Sequence, residues 1–162
     1  MENEKILTAL KDAMKGEFDS IAVYQNAKHN SRDKEVMKFF DNRANEEKKH
    51  YNYLLALYQA IKNYEELKPV KMKEAENLIF SDRFKQEIGK NNLLFSAISV
   101  ATLLEKNAFD FYQKAAEETD NEILKSFFEK MADWEKHHYD VLLEIADDAK
   151  ETFWQENRFE PF

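Results

Sequence analysis

Apolar residues recur at helical spacing through four long stretches of the chain, and a glutamate interrupts each stripe near its middle. The first stripe runs Leu10, Met14, Ile21 and Tyr24 around Glu17, and the second runs Phe40, Ala44, Tyr51 and Leu54 around Glu47. The third runs Ile98, Ala101, Phe109 and Tyr112 around Glu105, and the fourth Phe128, Ala132, Tyr139 and Leu142 around Glu135. Residues three and four apart share a helix face, so the pattern predicts amphipathic helices over about 3–29, 33–63, 91–118 and 121–149. Turn residues separate the members of each pair. They are "SRD" at Ser31–Asp33 and "TDN" at Thr119–Asn121, where Thr119 followed by Glu122 has the form of a capping box. Two helical hairpins result, at about 3–63 and 91–149.

The hairpins are copies of each other. The register that lays "FFDNRANEEKKHY" (Phe39–Tyr51) on "FFEKMADWEKHHY" (Phe127–Tyr139) also lays "EFDSIAVYQNA" (Glu17–Ala27) on "EKNAFDFYQKA" (Glu105–Ala115). Between them, Asn63–Lys90 contains Pro69 and Gly89 and is too long for a tight turn. It predicts a crossover from one end of the bundle to the other, with a short helix at about 72–87. The expected fold is an all-α four-helix bundle with a long crossover between the second and third helices, in one domain over 1–149. An aromatic tail at 150–162, "ETFWQENRFEPF" from Glu151 onward, is expected to dock on the bundle or on a partner.

Composition narrows the possibilities. Two glycines and two prolines leave little material for the turns of an all-β fold, and 43% hydrophobic residues argue against disorder. A net charge of -8 argues against nucleic acid as a partner. With no cysteine, disulfides, thiolate metal sites and thiol nucleophiles are excluded. The opening residues MENEKILTAL lack a basic start and an apolar core, and the longest mostly apolar run, Leu93–Leu104, is too short to span a bilayer. A soluble cytoplasmic protein with no membrane partner is expected.

Glutamate thus stands four times where leucine would serve stability. In a helical hairpin, residues equidistant from the turn lie level, and Glu17 and Glu47 are centred on "SRD" as Glu105 and Glu135 are on "TDN". Each lies about 15 residues, or roughly 22 Å, from its turn, so all four can share one level of the bundle. His50 and His138 follow Glu47 and Glu135 by three positions, in "EKKHY" and "EKHHY", on the same helix faces. Four ionised carboxylates in a bundle interior would be costly unless something neutralised them, and two divalent cations balance four negative charges. Carboxylate oxygen with imidazole nitrogen suits iron or manganese and can hold zinc, whereas an all-oxygen magnesium or calcium site would not need the histidines. The predicted metal ligands are Glu17, Glu47, His50, Glu105, Glu135 and His138.

At these residues the chain resembles the ferritin-like superfamily, and within it the rubrerythrin-type diiron-carboxylate proteins. Glu…Glu-x-x-His occurs twice, each time with a tyrosine seven residues after the first glutamate, and the two copies cover nearly the whole chain. The resemblance implies two iron ions, with Glu47 and Glu135 bridging, Glu17 and Glu105 as terminal ligands, and His50 and His138 completing each coordination sphere. It implies a diiron peroxidase or oxidase that reduces a small-molecule oxidant, hydrogen peroxide or dioxygen. Ferroxidation in iron handling, and a structural bundle with vestigial glutamates, are the alternatives. Rubrerythrin proper also carries a rubredoxin domain whose iron is held by four cysteines; with no cysteine here, the electron donor is expected to be an external protein. Rubrerythrin has a further glutamate three residues after its third-helix ligand, where this chain has Ala108, so a more symmetric site is expected, as in bacterioferritin.

Tyr24 and Tyr112 lie two turns from the ligating glutamates, placed either to hydrogen-bond a carboxylate across the bundle and support the reaction or to pack in the core. Tyr51 and Tyr139 are expected in the core, and His29 and His137 in solvent. Glu46 lies four residues before His50, but its counterpart in the other hairpin is Trp134, which favours Glu47 as the ligand. Where the first helix carries Lys5, Lys11, Asp12 and Lys15, the third carries Leu93, Ser99, Val100 and Leu103. A helix apolar nearly all round needs cover, expected from Leu78, Ile79 and Phe80 of the crossover together with a second subunit in a homodimer.

Overall fold

The computed structural model describes residues 2–73 and 80–157. Five helices follow in order: α1 (Glu2–His29), α2 (Lys34–Lys62), α3 (Asp82–Lys90), α4 (Asn92–Glu118) and α5 (Glu122–Asn157). Among the described residues there is no strand. Short polar side chains start the helices by accepting otherwise orphaned amide protons. Asp33 accepts from Glu35 and Val36, Ser81 from Phe84, and Asn91 from Leu93 and Leu94. At α5 the cap is Asn121, whose Oδ1 accepts from the amides of Ile123 and Leu124 at 3.0 and 3.1 Å. The Thr119 hydroxyl takes the Asn121 amide instead, so the expected capping box headed by Thr119 does not form.

The four long helices are α1, α2, α4 and α5, with α1 packed on α2, α4 on α5, and α1 on α4. Two apolar layers fill the bundle. One holds Tyr24, Phe40, Ala44, Ile98, Ala101, Leu142 and Ile145, and the other Leu10, Leu54, Leu57, Tyr112, Phe128 and Met131. Along α2 and α4 the chain passes from the first layer to the second, and along α1 and α5 from the second to the first. The end of α2 and the start of α4 therefore lie at opposite ends of the bundle, and the connection between them spans its length. Leu67, Val70 and Met72 pack against the second layer, whereas Phe80 packs against the first, to which Phe84 and Ile88 of α3 belong. The chain has the crossover topology of a ferritin-like bundle.

The short helix expected at 72–87 begins later, at Asp82, because Ser81 supplies its cap, and runs to Lys90; residues 74–79 lie outside the described residues. Helix α5 runs on past the expected end at 149 through Asn157. No glycine or proline interrupts that stretch, Phe153 stacks on Phe95 of α4 at 4.2 Å, and the amides of Asn157 and Asn92 exchange hydrogen bonds at 3.0 Å. The described part of the aromatic tail is thus a helical extension that covers the start of α4. Phe80 of the crossover packs on Phe39 and Phe84 rather than over the outer face of α4. On that face Leu93, Val100 and Leu103 are 64%, 47% and 61% exposed, and Leu78 and Ile79 lie outside the described residues.

Where α3 crosses α5 the backbones nearly touch. A Cβ at Gly89 would stand 2.6 Å from the carbonyl oxygen of Ala149 and 2.7 Å from Cβ of Thr152. Gly89→Ala gains up to about 1 kcal/mol in helix propensity but must push two helices apart, which costs about 1–3 kcal/mol. Urea unfolding should show a net loss of up to about 2 kcal/mol; a raised midpoint would mean that the crossing is looser than described.

Candidate metal centre

Between the two apolar layers lies a buried polar layer. Glu17, Glu47, His50, Glu105, Glu135 and His138 are all under 9% exposed, with Glu47, His50 and Glu135 at 0%. Helix periodicity puts each side chain there. Glu47 with His50, and Glu135 with His138, are one turn apart on the inward faces of α2 and α5, while α1 and α4 each contribute one glutamate from the same level. The two helices bearing histidine meet through side chains, with the imidazole rings of His50 and His138 stacked at 5.6 Å.

The ligand atoms form two overlapping groups, each lying within 4.8 Å: Glu17, Glu47, His50 and Glu135, and Glu47, Glu105, Glu135 and His138. Glu47 and Glu135 belong to both. Nδ1 of His50 lies 2.8 Å from Glu135 Oε1, 3.2 Å from Glu47 Oε2 and 3.7 Å from Glu17 Oε2. Nδ1 of His138 lies 3.5 Å from Glu135 Oε2, 3.6 Å from Glu47 Oε1 and 3.8 Å from Glu105 Oε2. Close as these atoms are, their geometry is not that of hydrogen bonds. Glu47 Oε2, both nitrogens of His50, both oxygens of Glu135 and Nδ1 of His138 are buried without a hydrogen-bond partner. Orphaned polar atoms at this depth are costly, and so many converging on one place fit a cation as the missing partner.

The tyrosines join the layer. The Tyr24 hydroxyl donates to Glu105 Oε1 and the Tyr112 hydroxyl to Glu17 Oε1, each reaching from the opposite hairpin. Their rings belong to the two apolar layers, so the hydrogen-bonding and packing roles coincide. Tyr51 and Tyr139 are half-buried rather than in the core, because they lie at the edge of the stripe that Glu47 and Glu135 centre. His29 and His137 are exposed. Glu46 belongs to neither ligand group and accepts from Lys49 Nζ at 2.7 Å.

Two neighbours were not legible as site residues. Trp134 stacks on His50 at 5.4 Å and fixes its ring plane. Arg43, one turn before Glu47 on α2, donates from Nη2 to Glu47 Oε1 at 2.8 Å and lies 3.8 Å from Glu105 Oε1. The available signal was its spacing of four from Glu47, which places both on one face.

Crowding of charge displaces the proton affinities. Burial, reinforced by the charge of Glu105, pushes the Glu47 carboxyl up to about 7. Burial and then the charges of Glu47, Glu17 and Glu105 push Glu135 well above the usual carboxylate range. Burial acts the same way on Glu105, but the proximity of Glu135, His138 and Arg43 more than offsets it and holds this carboxyl low. Burial presses both imidazoles down. At His50 the charges of Glu135 and Glu47 overcome it and raise the group, while at His138 Arg43 adds to it and the imidazole falls to about 4. Burial and the adjacent carboxylates keep the phenols of Tyr24 and Tyr112 far above neutral pH, so both hydroxyls stay donors.

The model of the rubrerythrin family matches residues 8–146. The chain belongs to the rubrerythrin family. No curated protein and no solved structure gives a significant match. The family match contains all six residues of the buried layer, both tyrosines and Arg43, and leaves out the last turns of α5. No helix among the described residues is long and apolar enough to cross a membrane. Family and geometry together describe a rubrerythrin-type helical bundle with a buried carboxylate and histidine cluster able to hold metal.

Proposed function

We propose that this chain is a non-haem diiron oxidoreductase that reduces hydrogen peroxide, or alternatively dioxygen, with electrons from an external donor protein. The observation that carries the reading is the pair of overlapping ligand groups sharing Glu47 and Glu135, with buried polar atoms on Glu47, His50, Glu135 and His138 that have no hydrogen-bond partner. Glu47 and Glu135 would bridge two iron ions, Glu17 with His50 would complete one position, and Glu105 with His138 the other.

Bound there, two ferrous ions would supply the two electrons that, with two protons, convert one peroxide to two waters. The chain's own part is to position and to exclude. Tyr112 and Tyr24 hold the terminal carboxylates Glu17 and Glu105 by hydrogen bonds and keep their own protons. Trp134 fixes His50, and the apolar layers above and below keep bulk water out. In the metal-free protein Glu47 and Glu135 hold protons readily and would release them on binding cations.

Rapid mixing of the reduced, iron-loaded protein with peroxide should give oxidation, followed by absorbance, much faster than that of free ferrous ion under the same conditions. A rate no faster than the free ion would sink the assignment. Faster oxidation by dioxygen than by peroxide would select the alternative oxidant.

A further inference from the structure

The two hairpins agree at every ligand position and at both tyrosines, but not at Arg43. Its counterpart in the other hairpin is Met131, a fully buried apolar side chain. Arg43 is itself only 12% exposed and lies over the ring of Tyr24 at 5.7 Å, the same tyrosine that donates to Glu105. Its guanidinium contacts Glu47, shared by both ligand groups, and Glu105, which belongs to the second group only. Among the described residues no lysine or arginine pairs with Glu17, where Tyr112 is the hydrogen-bond donor.

A guanidinium is permanently charged, and a like charge a few ångströms away, with little water between, opposes a divalent cation strongly. Arg43 also engages an oxygen of Glu47 that lies 3.6 Å from His138 Nδ1 and would serve that side. We propose that Arg43 makes the two metal positions unequal: the position of Glu17 and His50 fills first, and the position of Glu105 and His138 fills second, with weaker affinity. The inference rests on the dimetal reading of this site. Its consequence is a protein that passes through a one-metal form over a wide range of metal concentration, with the second ion the exchangeable one.

Cobalt(II) titration of the metal-free protein, followed by its visible absorption and by calorimetry, tests this without any turnover. The wild type should bind two ions in steps separated by at least about a hundredfold in affinity. Arg43→Met, which copies Met131, should bring the steps to within about tenfold, whereas Arg43→Lys, which keeps the charge, should leave them apart. Glu105→Gln should remove the weak step and Glu17→Gln the tight one. Two equal steps in the wild type, an undiminished gap in Arg43→Met, or loss of the tight step in Glu105→Gln would each overturn the inference while leaving the dimetal site standing. Failure of the wild type to bind cobalt at all would remove the dimetal reading, and the inference with it.

Discussion

Replacing Glu135 with alanine should empty both metal positions at once, taking the iron content of loaded protein from about two ions per chain to none. Glu135 lies in both ligand groups and makes no hydrogen bond that would hold a substitute in place. Glu17→Ala, which touches only one group, should retain one ion. The same site predicts an opposite effect on the empty protein. Glu135→Leu removes a carboxylate crowded by Glu47, Glu17 and Glu105 and adds apolar contact, so the metal-free variant should be about 1–4 kcal/mol more stable than metal-free wild type. Metal analysis and denaturant unfolding read the two arms separately. Full occupancy of both positions in Glu135→Ala would show that this carboxylate is not shared.

Stripping metal from the loaded wild type should lower its melting temperature by about 10 °C or more, and by a larger margin at pH 8 than at pH 6.5. A ligand present at a thousandfold over its dissociation constant stabilises the fold by about 4 kcal/mol, and each kcal/mol is worth about 2–4 °C in a chain of this size. The pH dependence follows from the groups left behind. Burial raises Glu47 to about 7, above its unfolded value of 4.5, so its contribution is fully present below pH 4.5 and is lost as the pH rises through 7. Glu135 is raised in the same sense, and so is His50, whose carboxylate neighbours overcome burial. The opposing groups have lowered folded values: His138 loses its contribution as the pH falls below about 6.5 and Glu105 as it falls below about 4.5, largely outside this window. Between pH 6.5 and 8 the metal-free fold should therefore weaken, while bound cations, which take the place of those protons, should hold the loaded fold steady. A metal-free melting temperature that rises across this interval would contradict the proton assignments.

Much of this architecture is written locally. Apolar spacing marked the four long helices, and "SRD" and "TDN" marked the hairpin turns, because helical periodicity and turn chemistry act over a few residues. The repeat then did what a single motif cannot. It placed Glu17, Glu47, Glu105 and Glu135 at matching distances from two turns, and the structure finds them in one buried layer with His50 and His138. The position of α3 and the reach of α5 were harder to read. The first depends on which polar residue caps, Ser81, and on a backbone crossing that only Gly89 permits. The second depends on Phe153 and Asn157 meeting α4, a contact between residues far apart in sequence.

By itself, then, the sequence determined the all-α class, the doubled hairpin and the choice of carboxylate and imidazole for the interior, since each follows from residue type and from spacing along one helix. Tertiary structure alone decided that Tyr24 and Tyr112 each bond the glutamate of the opposite hairpin, that Trp134 lies flat on His50, and that Arg43 stands beside Glu105 and breaks the symmetry of the repeat. Those contacts join different helices, and their distances are set by how the helices pack, a property that no spacing along a single helix contains.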